Sequence, residues 1–412
     1  MTRFDFKKID ALAVMLHNTR IGIINRLMGD RYVFSFEDSY VNDSSRSILS
    51  LSFKGQADKL ITSTRLYNTR LPPFFSNLLP EGHLRTYLAE KADVKPEHEF
   101  FLLAALGADL PGALKIVPLE MGEYSEIQNI NEQGENNDDA LLRFSLAGIQ
   151  LKFSAIAEAG GGLTVPADGM GGSWIVKLPS PRFDAVPENE FVMLALARSI
   201  GITLPRNHLV DIRDVKGLPK EIAHAEGKAI AIERFDRAPN KQRIHMEDFA
   251  QVFGLFPWEK YKQRSYANIA SVLLAETGEV GVHEYVRRLA FSILIGNADM
   301  HLKNWSIIYP DKHTPVLSPA YDFVSTLPYI KEDQLALNFG GSYRIDKITL
   351  GQVRRFSEKA QLSVSDISAL ITETIEKATS AWQTLPEKDL LPLDMRRVID
   401  KQIETASKNT QL

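Results

Sequence analysis

"IGNADMHLKNWSIIYP", residues 295–310, joins an apolar helical run to an apolar strand that bears aromatic residues. Five polar or charged side chains, Asn297, Asp299, His301, Lys303 and Asn304, crowd into eight residues at this corner. A polar turn between two apolar elements would explain them. So would a catalytic loop in which Asp299 is a base and Asn304 a metal ligand. Which of the two it is decides the fold, and the surrounding sequence has to choose.

Asp299 and Asn304 stand in the spacing D-x-x-x-x-N, the interval found in the catalytic loop of protein kinases. The chemistry explains the interval. A carboxylate accepts a hydroxyl proton at one end of a loop, and one turn later an amide oxygen ligates Mg²⁺ bridging the phosphates. Both residue types are common in loops, so the spacing alone is weak. The following segment strengthens it: NWSIIYP, the turn DKHTP and VLSPAYDF read as a β-hairpin that returns Asp322 toward the first carboxylate. Asp322-Phe323-Val324 carries the Asp-Phe of the kinase D-F-G, but valine replaces glycine. The backbone freedom of glycine is absent, and no activation-loop flip is expected.

Upstream, Lys177 lies in SWIVKLP, an apolar strand with one cation. A solvated lysine at a strand end is the bland alternative to one that pairs with ATP phosphates as in V-A-I-K. Glu190 on the next helix is the expected carboxylate partner, with Glu188 also available. The order of elements carries more than any member: glycine-containing turn, strand Lys, helix Glu, strand, D-x-x-x-x-N, hairpin, Asp. A phosphate loop would fall at Ser145-Leu146-Ala147-Gly148-Ile149-Gln150, although its single glycine fails G-x-G-x-x-G. AGGGL and GMGG are richer in glycine and read as a loose hairpin tip.

At 412 residues the chain exceeds the usual size of one core. A net charge of −4 argues against wrapping nucleic acid through bulk positive charge. The absence of cysteine excludes disulfides, thiolate zinc sites and a cysteine nucleophile. The N-terminal stretch does not read as a signal peptide and no run is long enough to span a membrane, so a cytoplasmic location is expected. Residues 10–66 alternate as an antiparallel sheet would, SILSLSF included. Helices follow from about Glu81 and from about Pro96 to Leu106, with a strand near 113–117. The expected class is α+β, a protein-kinase-like bilobal fold preceded by an N-terminal subdomain. Its parts are an α+β unit at 1–118, an acidic linker or mobile loop at 119–139, a β-rich small lobe at 140–238 and a helical catalytic lobe at 239–412.

FSLAGIQLKFS, WIVKLPS, ENEFVMLALARSIGI, ERFDR, the NADMHLKNWSI corner and LSPAYDFVST resemble the successive motifs of HipA-type serine/threonine kinase toxins. LPPFFSNLLPEGHLR resembles the signature of that family's N-terminal subdomain. The motifs occur in the family's order from about residue 10 to 345. The resemblance implies an ATP- and Mg²⁺-dependent kinase that phosphorylates a translation factor, typically an aminoacyl-tRNA synthetase, and arrests growth. Asp299 would be the base, Asn304 and Asp322 would hold Mg²⁺, and Lys177 would meet ATP phosphate. His301 and Lys303 would position phosphates or the acceptor hydroxyl. Ser145, Ala147, Gly148 and Gln150 would belong to the phosphate loop, and backbone groups of Glu233 and Phe235 would meet adenine. Ser145 matches a serine that the family autophosphorylates, where added charge would oppose ATP phosphates. The implied partners are a small helix-turn-helix antitoxin and, through it, operator DNA.

Two other readings compete with this one: a small-molecule phosphotransferase sharing the D-x-x-x-x-N loop, and a non-catalytic corepressor with a kinase-like fold. The N-terminal unit favours the protein kinase over the former. Retention of Lys177, Asp299, Asn304 and Asp322 together speaks against the latter. Among the remaining residues, Phe74, Phe75 and Tyr321 read as packing, and Arg287 and Arg288 as ion-pairing residues on a partly solvent-facing helix. Asn297 reads as a loop brace, and the mixed-charge C-terminal helix is not expected to bind DNA.

Overall fold

The computed structural model describes residues 9–120, 151–158, 162–166, 171–219, 226–240, 242–261, 263–331, 333–410 and 412. The first unit is an antiparallel sheet of β1 (Ile9–Leu16), β2 (Thr19–Leu27), β3 (Arg31–Phe36), β4 (Leu66–Asn68) and β5 (Leu114–Glu120), in the order β4-β3-β2-β1-β5. Side-chain alternation sorts β1 onto two faces, both buried. Leu12, Val14 and Leu16 enter the main core of the unit, while Ala11, Ala13 and Met15 pack with Leu119 on the other side. The β1–β2 turn places His17 and Asn18 at positive φ, 49° and 67°, the backbone of a type I′ hairpin. Helices α1 (Asp38–Asn42), α2 (Pro73–Ser76), α3 (Gly82–Lys91) and α4 (Glu99–Leu106) fill the first face, and Phe74 and Phe75 are core residues as expected.

Two element readings change. β5 runs on through Glu120, past the end expected near 117, and the rest of the acidic stretch expected as a linker or mobile loop lies outside the described residues. SILSLSF is not a strand: it ends in a single 3₁₀ turn at Leu51–Phe53. Its backbone groups bond across to the rest of the chain. Leu49 O accepts from His245 Nε2 at 2.7 Å, and Leu51 N donates to the Glu247 carboxylate at 2.9 Å. Groups spent this way cannot join a ladder.

The second sheet holds β6 (Lys152–Ala157), β7 (Leu163–Thr164), β8 (Trp174–Lys177), β9 (Asn207–Asp211), β10 (Val215–Lys216) and β11 (Lys228–Glu233), ordered β10-β7-β6-β8-β11-β9. Its ladders are antiparallel except β10–β7. Helix α5 (Val186–Ser199) buries Val192, Leu194 and Leu196 against Ile230 and Ile232, in a core continuous with the helical region.

That region opens with β12 (His245–Asp248), antiparallel to β13 (Ser306–Tyr309), which pairs in turn with β14 (Val316–Leu317). The β13–β14 hairpin is the one expected, but β12 corrects a helical reading of EDFAQVFG. Only α6 (Phe249–Val252) is helical there, started by a capping box between Asp248 and Gln251. Helix α7 (Tyr266–Leu294) breaks at Gly278, φ 68°, where the sequence reads as two helices. Helices α8 (Leu350–Ala360), α9 (Val364–Thr384) and α10 (Leu393–Asn409) pack around it. Arg287 and Arg288 on α7 both form ion pairs with Glu284, as expected, at 3.6 and 2.9 Å; Arg287 faces solvent, while Arg288 is buried and also donates to Ser318 O at 2.6 Å. No helix among the described residues is long and apolar enough to cross a membrane.

Candidate active site

The corner that opened the sequence begins where α7 stops. Gly296 adopts φ 70° and turns the chain out of the helix. Asn297 then braces the loop, as expected. Its Nδ2 donates to Asp322 O at 3.2 Å, and its Oδ1 accepts from Asp299 N at 3.2 Å. This one buried amide ties the two carboxylate-bearing segments together. Asn304 Nδ2 donates to Asp299 O at 2.7 Å, which commits the amide nitrogen inward and leaves Oδ1 as the free end of the side chain.

The Asp299 side chain is 55 % exposed. Its Oδ1 accepts a 2.7 Å hydrogen bond from the Tyr261 hydroxyl. Protein crowding on the closed side pushes the carboxyl up to about 6, against the pull of the Tyr261 hydrogen bond and of Lys260. Solvent on the open side damps that rise. His301 Nε2 lies 4.0 Å from Asp299 Oδ1. Burial, reinforced by Lys260, pushes His301 down to about 3, so its ring is neutral at pH 7.

Lys177, at the end of β8, is buried and makes ion pairs with both Glu190 Oε1, at 2.6 Å, and Asp322 Oδ1. The choice between Glu188 and Glu190 falls on Glu190. Burial alone would favour a neutral lysine, but the two carboxylates outweigh it and hold Lys177 above its ordinary value. Burial also works against ionised Asp322, yet Lys177 and then Lys152 hold that carboxyl down, at about 2. Asp322 takes the left-handed backbone conformation, φ 56°, which few residues with a side chain adopt.

Lys152 had no assigned role in the sequence reading, and it belongs here. It sits directly opposite Lys177 in the β6–β8 register. Burial lowers it to about 8, opposed by Asp322. Its signal was the one that flagged Lys177, a single cation in an apolar strand. Tyr261 was also missed, because nothing local marks a tyrosine in FPWEKYKQR as facing residue 299.

Lys303 points elsewhere than expected. Its ammonium lies 2.9 Å from Glu81 Oε1 and donates to Asn77 O at 3.1 Å, both in the first unit. Glu233 carries a bidentate pair with Arg206, 2.6 Å on each arm, and its amide donates to Arg206 O at 2.8 Å. Of its two backbone groups, that amide is therefore already engaged. The Phe235 ring centroid lies 5.8 Å from that of Tyr321. The flanking Arg234, Asp236 and Arg237 form a buried ion network with Asp109 of the first unit. Ser145, Ala147, Gly148 and Gln150 lie outside the described residues.

Among the described residues, no group of three or more His, Cys, Asp or Glu would hold a metal by itself. Mg²⁺ does not require one, since it commonly takes one or two protein oxygens and completes its octahedron with water and phosphate. The Asp322 carboxylate and the free Oδ1 of Asn304 suit such a cation. Two buried ammonium groups beside them suit a polyphosphate.

Known proteins resemble this chain along most of its length. The HipA N-terminal domain model matches residues 12–117, and the HipA-like C-terminal domain model matches residues 144–382. The Sinorhizobium fredii protein Y4dM, which has a provisional kinase name, is 49% identical over 94% of this chain and 94% of its own. The serine/threonine-protein kinase toxin HipA of Shewanella oneidensis is 27% identical over 82% of this chain and 81% of its own. The solved structure of Shewanella oneidensis HipA with HipB and operator DNA superposes with a TM-score of 0.70 at 22% identity. That match covers 97% of this chain and 96% of the other, and it establishes a shared mixed α/β fold. With both domain models matched in order across most of its length, the chain belongs to the HipA family.

Proposed function

We propose that the protein is an ATP- and Mg²⁺-dependent kinase that phosphorylates a serine or threonine of another protein. One observation supports the reading most: Lys177 pairs at once with Glu190 and with Asp322, while Asn297 ties Asp322 to the loop of Asp299 and Asn304. Binding alone needs no such convergence of a free carboxylate with oxygen donors and buried cations.

Mg²⁺–ATP would supply the phosphoryl group, with the cation offsetting charge on the phosphate oxygens. Lys177 and Lys152 present positive charge to the phosphates, and Glu190 keeps Lys177 aimed. Asp322 and the Asn304 amide oxygen are the donors for the cation. Asp299 accepts the proton of the acceptor hydroxyl. Its raised value still leaves it mostly ionised at pH 7, so it can act as a base. Glu233 and Phe235 would border the adenine, and the Ser145–Gln150 segment would cover the phosphates. His301 would orient the acceptor or Asp299.

Family membership supports a toxin role, with an aminoacyl-tRNA synthetase as acceptor, Ser145 as a self-inactivating autophosphorylation site and a HipB-like helix-turn-helix antitoxin as partner. Operator DNA would be met through that antitoxin. Incubation with labelled ATP, Mg²⁺ and a cell extract tests the kinase. A labelled protein band absent with Asp299→Asn is expected; no band, or an equal band with that variant, overturns the reading. Growth arrest on induction without an antitoxin tests the toxin role separately.

A further inference from the structure

Glu81 stands in the turn Leu79-Pro80-Glu81-Gly82 of the first unit, just ahead of α3. Its carboxylate is shared between two ammonium groups of the helical region. Oε1 lies 2.9 Å from Lys303, and Oε2 lies 2.8 Å from Lys260. Both lysines are almost completely buried, and Glu81 is 16 % exposed. Burial would raise the Glu81 carboxyl, but Lys303 and then Lys260 overcome that and hold it at about 2, so it is charged throughout the useful pH range.

The two lysines lead to the reacting carboxylate by different routes. Lys303 belongs to the 3₁₀ turn between Asp299 and Asn304, the turn that sets their separation. Lys260 is the neighbour of Tyr261, whose hydroxyl holds Asp299 Oδ1, and Lys260 O accepts from Leu302 N at 3.3 Å. Asn77, four residues before Glu81, adds its carbonyl to Lys303 and anchors through Nδ2 to Leu255 O at 2.7 Å. One carboxylate from outside the two kinase-like lobes thus clamps both segments that fix Asp299.

We infer that Glu81 is a positioning residue of phosphoryl transfer, so that the N-terminal unit completes the active site. This rests on the kinase reading above. Buried ammonium groups need a counter-charge. Without Glu81, Lys303 and Lys260 would repel each other, and the turn and the Tyr261 loop would separate. Small misplacements of reacting groups cost rate steeply, whereas Lys177 and Lys152 lie on a different sheet and keep their geometry.

The test compares full-length wild type, Glu81→Gln and Glu81→Asp. Glu81→Gln should lower kcat roughly 10- to 100-fold with KM for ATP within about twofold, and Glu81→Asp, which keeps the charge, should recover most of the loss. Turnover is normalised to the stoichiometry of binding of a non-hydrolysable ATP analogue, so a misfolded fraction does not pass for lost positioning. Hydrogen exchange provides a second reading that needs no activity. Amides of 297–305 and 257–261 should exchange faster in Glu81→Gln, with the second sheet unchanged. Unchanged kcat and exchange in Glu81→Gln overturn the inference. So does a loss that follows analogue stoichiometry and is not rescued by Glu81→Asp. A wild type that transfers no phosphate, yet shows the localised exchange difference, overturns the kinase reading and leaves the clamp standing.

Discussion

Asp109 offers the sharpest test of how the first unit is joined to the rest. It is fully buried. Its Oδ1 lies 2.6 Å from Arg237 and 3.5 Å from Arg243, its Oδ2 lies 3.4 Å from Arg234, and Gly171 N donates to Oδ2 at 3.3 Å. With Asp236 the cluster holds two carboxylates against three guanidinium groups. Asp109→Asn keeps the shape and leaves three cations on one anion. Each pair at a charge separation of ~4 Å is worth roughly 4 kcal/mol at an effective dielectric near 20. Release of the carboxylate's desolvation cost returns part of this. A net loss of about 3–5 kcal/mol is expected, the range for breaking a buried pair by removing one partner. Urea titration followed by tryptophan fluorescence measures it. The pH dependence fixes the cause. The arginines hold Asp109 below its ordinary 3.8 against the effect of burial. Its contribution is therefore complete above that value and lost as pH falls through the depressed one. The gap between wild type and Asp109→Asn should be constant from pH 5 to 7 and close below about pH 4. A loss under about 1 kcal/mol at pH 7, or a gap that persists in acid, would refute the reasoning.

Asp299→Asn should reduce phosphate transfer by roughly 10²-fold or more while thermal unfolding stays within a few degrees of wild type, as labelled-ATP assays and calorimetry would read. Lys177→Met leaves Glu190 and Asp322 facing without their cation. It should cost about 3 kcal/mol in urea titration and abolish saturable ATP binding. Asn189 on α5 donates through Nδ2 to Ser325 O at 2.9 Å and to the Tyr329 hydroxyl at 3.1 Å, and accepts from Ser325 N at 3.1 Å. Asn189→Ala should therefore cost about 2–3 kcal/mol and raise proteolytic sensitivity after Asp322. Glu247 is pushed up to about 7 by burial, against hydrogen bonds from Ser50, Tyr309 and Leu51. A raised carboxyl weakens folding as pH rises from the ordinary 4.5 to that value. Glu247→Gln, which mimics the protonated form, should be the more stable protein at pH 8 by on the order of 2 kcal/mol, with the difference gone by pH 4.5.

The corner at 295–310 was legible because its signal is local: a helix stop, a spaced Asp and Asn, and a hairpin of alternating apolar residues. The pairing of Lys177 with Glu190 was nearly so, since strand and helix adjoin in sequence. What escaped was long-range. Lys260 and Glu81 are 179 residues apart, and each reads alone as a solvated charge. Strand β12 needs β13 before its extended form is favoured, and the residues that follow it do form a helical turn. The ion pair of Arg288 with Glu284 was legible, but its burial was not, because its second partner, Ser318 O, arrives from the later hairpin. The expectation for SILSLSF failed for a related reason. Its alternation is real, but its backbone groups bond to His245 and Glu247, in each case 196 residues away, instead of to a neighbouring strand.

The left-handed backbone at Asp322 has a consequence for which residues that position can accept. Glycine, asparagine and aspartate enter this conformation most readily. Of the three, aspartate alone brings the negative charge that Lys177 and Lys152 require. Glutamate, its nearest chemical relative, has a longer side chain that would miss Lys177 and is poorly suited to the turn. Asparagine, its nearest geometric relative, would leave two buried lysines facing each other across the β6–β8 ladder with only Glu190 between them. Backbone shape and charge balance thus exclude different substitutes, and together they leave aspartate.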